Sequence, residues 1–526
     1  MRRIGSIRRL RYSSICFDNR AAMLYNQKVG PIGRRLNSKR GKNTSIMHGF
    51  FKKAFLTATA AALVFSFACS KKQESPRLEH NLLSFYSETD TSTAFFADDK
   101  ELNDRIGGAI TSIGTVDGKE GFVVAASALY RINTEGLLKI YPAAVTNAVP
   151  ALDGGRILFA TATMVHLYDE ATKDYTKLDG IKAKSIIDLA LSPSGETAGV
   201  TALQDDCIMS YLYEGGKVTE YGKNKCIVAV SNDAKTVYYL ETLDTEITGI
   251  LHIVKNGKDR IITDNASPYF ELNRDLTEIT FDVDGKTHIS RNGETARKIA
   301  DASIFSYAGA QRSAMGGKAC ITLLKNTNTL LDGIFYSNTR GEDSDGNQHD
   351  LYDVYYVNGS LSCNALALGA SRFSVSEDSK AILTIVDDSL YKVSAYNPKS
   401  PELLLQSIYT FTCDRNLSDI HCLDLGGNVY RYENNKLSPI LVTGADSIKR
   451  TSDGAVMCYS SLESNGTLFL LNGDKAAPVA VGVNYFEIYD HAIMYLANYD
   501  ENAHTYDLYI SSDGENFRLA EQGVKL

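Results

Sequence analysis

Leu189-Ala-Leu-Ser-Pro-Ser-Gly-Glu-Thr-Ala-Gly-Val200 reads as strand, tight turn, strand, and variants of it recur along almost the whole chain. Before the turn the residues alternate: Ile187, Leu189 and Leu191 face one way, and Asp188, Ala190 and Ser192 the other. A period of two is the pattern of a strand whose two faces meet different surroundings. Ser-Pro-Ser-Gly then supplies residues that accept a positive φ or cap a turn with a side chain. A Leu-Tyr strand follows at Leu212-Tyr213, then another turn and another strand.

The same first turn can be followed through Val116–Lys119, Leu152–Gly155, Ser192–Gly195, Ser231–Ala234 and Asn273–Leu276. It continues at Met315–Lys318, Ser376–Ser379, Asp414–Leu417, Ser452–Gly454 and Asp490-His491. Successive turns lie 36–42 residues apart, except for one interval of 61. Third-strand positions repeat as Leu129-Tyr130, Leu167-Tyr168, Leu351-Tyr352, Leu390-Tyr391, Val429-Tyr430 and Leu508-Tyr509. Asn256-Gly257, Asn292-Gly293, Asn358-Gly359 and Asn472-Gly473 add hairpin turns, since both central residues of such a turn need φ > 0. Four short antiparallel strands repeated about ten times predict an all-β chain, a β-propeller over 101–526. Ten repeats suit one large ring or two smaller ones. The Ser-Pro-Ser-Gly-Glu and Ser-Asp-Gly-Ala turns, with their Leu-Tyr strands, resemble those of TolB-like, WD40-like and prolyl-oligopeptidase-type propellers. That resemblance implies a fold and no activity.

Residues 47–70 give an address. Lys52-Lys53 precede an apolar run and then Ser66-Phe67-Ala68-Cys69, the plan of a secretory signal peptide over 47–68. The run is shorter than the roughly 20 residues that span a bilayer. Ser66-Phe-Ala-Cys69 resembles a bacterial lipobox, which implies that Cys69 is lipidated and becomes the mature N-terminus. Ser66 stands where that pattern usually has Leu. Ser70, rather than Asp, follows the cysteine; in a two-membrane cell the resemblance implies the outer membrane. Residues 1–46 are read as an upstream extension before a true start at Met47. Residues 69–100 are read as the lipidated end, a polar tether and closing strands.

Charge narrows the partners. From Cys69 onward the chain holds 41 Lys and Arg against 62 Asp and Glu. An excess of acids that large repels phosphate, so nucleic acid is not an expected partner. No Gly-x-Ser-x-Gly elbow occurs, and the repeats leave no room for a separate catalytic domain. Seven cysteines remain after Cys69, at 207, 226, 320, 363, 413, 422 and 458, with no C-x-x-C pair. Cys413 and Cys422 flank one hairpin and could pair across it; buried free thiols are the default. His166, His252, His288 and His421 are scattered without ligand spacing, so no metal or cofactor is expected. Asp343, Asp345 and Asn347 alternate as cation ligands do, but Gly346 is misplaced for an EF-hand and the stretch reads as an acidic hairpin tip. Ser511-Ser-Asp-Gly-Glu-Asn-Phe517 resembles the structural Asp-box of sialidase-like propellers, with Phe517 where that motif has Trp.

The expectation is an envelope lipoprotein anchored through Cys69, its propeller serving as a binding or scaffolding module for a protein partner. The alternative is a carbohydrate-active or lyase-type enzyme with charged side chains converging at the axial mouth.

Overall fold

The computed structural model describes residues 83–524 apart from 90–91, 98–99, 103–105, 108–109, 117–119, 206, 242–247, 268–269, 302–305, 308–312, 317–318, 324–329, 343–347, 452–453, 462–465 and 490–491. The described residues fall in one compact unit. The extension at 1–46, the signal peptide, Cys69, and Asp343, Asp345 and Asn347 lie outside them.

Every described element is a β-strand, and the strands form antiparallel sheets of four taken largely in chain order. Repeats 1 to 5 span 110–141, 147–177, 185–223, 225–266 and 270–300. Repeats 6 to 10 span 306–370, 372–406, 408–437, 445–483 and 485–524. The last two are continuous through the long strand Lys475–Tyr489. The Leu-Tyr pairs all fall in third strands, as their spacing predicts.

One turn builds most of these sheets. Its first residue donates its N–H to the carbonyl five residues on, as Ser192 does to Thr197 at 3.0 Å and Ser376 to Ala381 at 2.9 Å. Its fourth residue donates back to the first carbonyl and sits at positive φ: Gly195 at 75°, Ala234 at 52°, Leu276 at 54°, Ser379 at 56° and Leu417 at 57°. The first side chain, Ser, Asn or Asp, then accepts the N–H that starts the second strand, at Thr197, Thr236, Glu278, Ala381 and Asp419. Short polar side chains recur there because they replace a backbone acceptor the tight turn cannot supply.

Alternation along the strands is what joins repeat to repeat. In Glu120–Ala125, Phe122 and Val124 pack against Ala148, Ile157 and Phe159 of repeat 2. Val123 and Ala125 face the other way, onto Phe95, Ala97 and Ile106 of an N-terminal sheet built from residues 83–107. With both faces covered, fully buried rings such as Phe159 and Phe411 each remove about 2–3 kcal/mol worth of apolar surface from water. First strands also carry a β-bulge, between Ile110 and Ser112, Ile186 and Asp188, Ile227 and Ala229, Ile408 and Thr410, and Ala445 and Ser447. In repeat 3 the bulge breaks the strict alternation read from sequence: Ile186, not Ile187, joins Leu189 and Leu191 in the core.

One expectation is corrected, and the default reading of the cysteines holds. Met315–Lys318 does not open repeat 6. It joins Ser313–Gly316 to Ala319–Leu323, an inserted hairpin that leaves its repeat and pairs in parallel with the first strand of repeat 1, Thr322 opposite Gly114. Repeat 6 instead brings Ser306–Tyr307 against Gly333–Glu342, which pairs along its whole length with Gln348–Val357. Turn chemistry fixes a hairpin but not the sheet it joins. Cys413 and Cys422 are both free: Cys413 lies opposite Ile420 and Cys422 opposite Phe411, so the register keeps the thiols apart.

Candidate functional site

Charged side chains collect where second strands begin. Glu120, Arg156, Glu278 and Asp419 hold that position, and each pairs with a third-strand residue of its own repeat. The partners are Arg131 at 3.4 Å, Asp169 at 2.9 Å, Arg291 at 3.6 Å and Arg431 at 2.8 Å. Several then reach the neighbouring repeat. Arg131 contacts Glu170 at 2.7 Å, and Glu278 accepts the N–H of Leu330 at 2.6 Å. The first turns interlock as well: Asp153 N donates to the Pro193 carbonyl and Ser194 N to Asn232 Oδ1, both at 2.9 Å. Arg274, from the turn of repeat 5, pairs with Asp153 of repeat 2. A shallow recess opens between repeats 1 and 2, lined by Glu120, Arg131, Arg156, Tyr168 and Glu170. Its charges are satisfied by one another.

The densest cluster spans repeats 8 and 9. Asp419 accepts from Arg431 Nε at 2.8 Å and from Arg450 Nη2 at 2.7 Å. Burial alone would raise its pKa, but the two guanidiniums outweigh that and hold the carboxyl below the ordinary range. Arg450 Nη2 also lies 3.2 Å from His421 Nδ1. A guanidinium only donates, so Nδ1 is the acceptor and the ring proton sits on Nε2. Burial, aided by both arginines, pushes the His421 pKa down to about 4, so the imidazole is neutral. His421 Nε2 and Arg450 Nε are buried and have no partner among the described residues. Asp419, His421, Arg431 and Arg450 therefore converge, but chemically they are a fixed lattice. The carboxylate is held ionised, the imidazole is neutral, and its free N–H is sealed from solvent. No proton-transfer group faces a substrate there.

Alongside lies Cys413, whose thiol burial pushes up to about 11 although Ser374 hydrogen-bonds it. A thiol that seldom ionises is a poor nucleophile. Arg372, opening the first strand of repeat 7, places its guanidinium 5.9 Å from the Phe411 ring centroid.

The other histidines serve the sheets. His166, His252 and His288, all on third strands, stack on the cross-strand rings of Phe159, Tyr239 and Phe281 at 5.1, 4.5 and 6.1 Å. His252 lies in addition 3.0 Å from Asp259 and 3.3 Å from Glu241. Among the described residues no three His, Cys, Asp or Glu side chains are grouped as metal ligands. Asp513 of the Asp-box-like turn accepts the N–H groups of Glu515 and Asn516, both at 2.8 Å, and Phe517 packs edge-on to Tyr495. That turn is structural. Sequence reasoning missed Arg372, Asp419, Arg431 and Arg450. A usable signal existed for Asp419: a charged residue directly after the turn, as at Glu120, Arg156 and Glu278, where repeats 3, 4 and 7 carry Thr197, Thr236 and Ala381.

No family model matches the chain, and no curated protein matches it. Solved structures similar to it include a eukaryotic initiation factor, at 10% identity and TM-score 0.38, covering 77% of this chain and 96% of that one. TolB from Acinetobacter baumannii is similar at 13% identity and TM-score 0.29, over 41% of this chain and 63% of TolB. A prolyl endopeptidase structure is similar at 12% identity and TM-score 0.33, over 62% of this chain and 54% of that one.

Proposed function

We propose that the chain is an envelope lipoprotein, anchored through Cys69, whose repeats close into a propeller that binds a protein partner. The observation that carries this reading is where apolar side chains meet solvent. Nine of the fifteen large exposed apolar residues among those described fall between Leu368 and Tyr485, in repeats 6 to 10. They include Leu368, Leu403, Leu437 and Val481 on fourth strands, and Tyr396 and Tyr409 elsewhere. The fourth strands that carry Leu368, Leu403 and Leu437 are paired on one side only, so a partner could satisfy their backbone while covering these side chains; Val481 lies instead on the long strand that joins repeats 9 and 10. Concentrated exposed apolar surface of this kind marks contact with a protein or membrane. The acidic balance of the chain favours a partner whose contacting surface is neutral or basic.

The test is a crosslinked pull-down from native envelopes with the Cys69-anchored protein as bait and a Cys69→Ala variant as control. The reading predicts a reproducible protein partner, lost or diminished when the anchor is lost. A bait that is not membrane-bound, or that captures nothing above background, would remove its basis.

A further inference from the structure

We propose that the partner is a basic protein segment carrying aliphatic or aromatic anchors, docked on the end of repeats 7 to 9 where second strands turn into third strands. The inference rests on the partner-binding reading and adds a place and a chemistry to it. Strands in each repeat run antiparallel in chain order, so these turns and the links between repeats share one end, and the first turns occupy the other. Backbone bonds join that end into one surface. Ile408 N donates to the Asp388 carbonyl at 2.8 Å, Leu425 N to the Ser407 carbonyl at 2.9 Å, and Ala445 N to the Gly427 carbonyl at 2.8 Å. Gly427, at φ 78°, lets turn and link touch: a Cβ there would lie 3.3 Å from Gly444 Cα. The surface is built before a partner arrives, so little of it has to be ordered on binding.

Its side chains combine apolar area with unmatched charge. Tyr409, Leu425 and Ile440 are 61, 57 and 50% exposed. Beside them stand Asp387, Asp388 and Asp446, all exposed and none ion-paired among the described residues. Tyr409 and Asp446 hold equivalent places, each bulged out of a first strand, and a bulge re-aims its side chain. At the first-turn end, by contrast, Glu120, Asp169 and Asp419 each meet an arginine. Here Arg372 is the one exposed base described. A surface of this kind is complemented by Lys or Arg set beside apolar residues. The same carboxylates repel the anionic face of a bilayer, which makes a lipid surface the disfavoured occupant.

The experiment is fluorescence anisotropy of the full chain with short labelled peptides. One peptide is built from Lys, Leu and Tyr, a second has Glu for Lys, and a third has Ser for Leu and Tyr. Phosphatidylglycerol vesicles are the fourth probe, read by sedimentation. The Lys-Leu-Tyr peptide is expected to bind, with Leu425→Ser weakening it by about ten-fold. Asp387→Asn with Asp388→Asn should weaken it several-fold and flatten its salt dependence. Both aspartates sit at positive φ, 48° and 55°, which Asn also accepts, so that double variant should fold. Ile261→Ser, at an exposed position of repeat 4, should leave the affinity unchanged. Should Leu425→Ser lower the melting temperature, Tyr409→Ala takes its place. No binding of the Lys-Leu-Tyr peptide, equal binding of either altered peptide, capture by the vesicles, or affinity unchanged in the Leu425 and aspartate variants would each overturn the proposal. Any of these leaves partner capture standing, because the envelope pull-down does not depend on which residues make the contact.

Discussion

Asp188, on the first strand of repeat 3, and His421, on the second strand of repeat 8, answer pH in opposite directions. Burial pushes the Asp188 carboxyl up to about 7, against one hydrogen bond from Leu189 N. Its folded-state pKa is above the unfolded value, so its contribution is complete below pH 3.8 and is lost as pH rises through about 7. Asp188→Asn should therefore stabilise the protein at pH 8, by about 2 kcal/mol or more, with the gain shrinking as pH falls and vanishing near pH 3. His421 is depressed instead. Between pH 6.5 and about 4 the unfolded chain binds the extra proton, so stability is complete above 6.5 and falls as pH drops through that window. His421→Gln should flatten that slope in denaturant titrations run from pH 7 to 4. Asp419→Asn should cost about 3 kcal/mol, because it leaves Arg450 buried without a carboxylate. The pH responses of Asp188 and His421 were not legible in the sequence. Asp188 reads as the polar face of a strand, and only neighbouring repeats, distant in the chain, bury it. His421 was visible as a histidine, but the arginine that fixes its tautomer comes 29 residues later from another sheet.

At the scale of the element the sequence speaks more clearly, because a turn is built from neighbouring residues. Ser192, Ser231, Asn273, Ser376 and Asp414 each stand at the first position of the recurring turn, and each side chain caps the start of the second strand. Gly195→Ala should destabilise by roughly 1–3 kcal/mol, since φ is 75° and an added Cβ would come 2.8 Å from Arg156 Cβ. Ala234→Gly, at φ 52°, should be neutral or stabilising by up to about 1 kcal/mol. Thermal unfolding of the two variants checks both. What local chemistry could not give was destination. Ser313–Gly316 and Ala319–Leu323 pair with each other, yet the second of them lies beside Gly114 and Thr115, about 200 residues earlier. The bulge at Ile186 was equally hidden, because it depends on the facing strand.

For the whole molecule, contact between neighbours replaces a single core. Repeat 1 packs on 2, 2 on 3, 6 on 7, 7 on 8 and 8 on 9 through successive clusters of buried side chains. Repeats stacked this way spread destabilisation to the nearest interfaces. Phe159→Ala, in the cluster joining repeats 1 and 2, should cost about 3–5 kcal/mol and loosen those repeats first, visible as hydrogen exchange rising there before repeat 8. The regular spacing of turns made this serial order readable, whereas the inserted hairpin and the shared strand Lys475–Tyr489 have no counterpart in the period. The surface that would meet a partner follows from the same order, since fourth strands of consecutive repeats bring Leu403, Leu437 and Val481 out to solvent.

The most direct test places a photo-crosslinking residue at Tyr409 or Val481 of the membrane-anchored protein in native envelopes, with Ile261 of repeat 4 as the comparison. The account predicts one protein crosslinked from positions 409 and 481 and much less from 261. Equal yields from all three positions, or none from any, would contradict a binding surface on repeats 6 to 10.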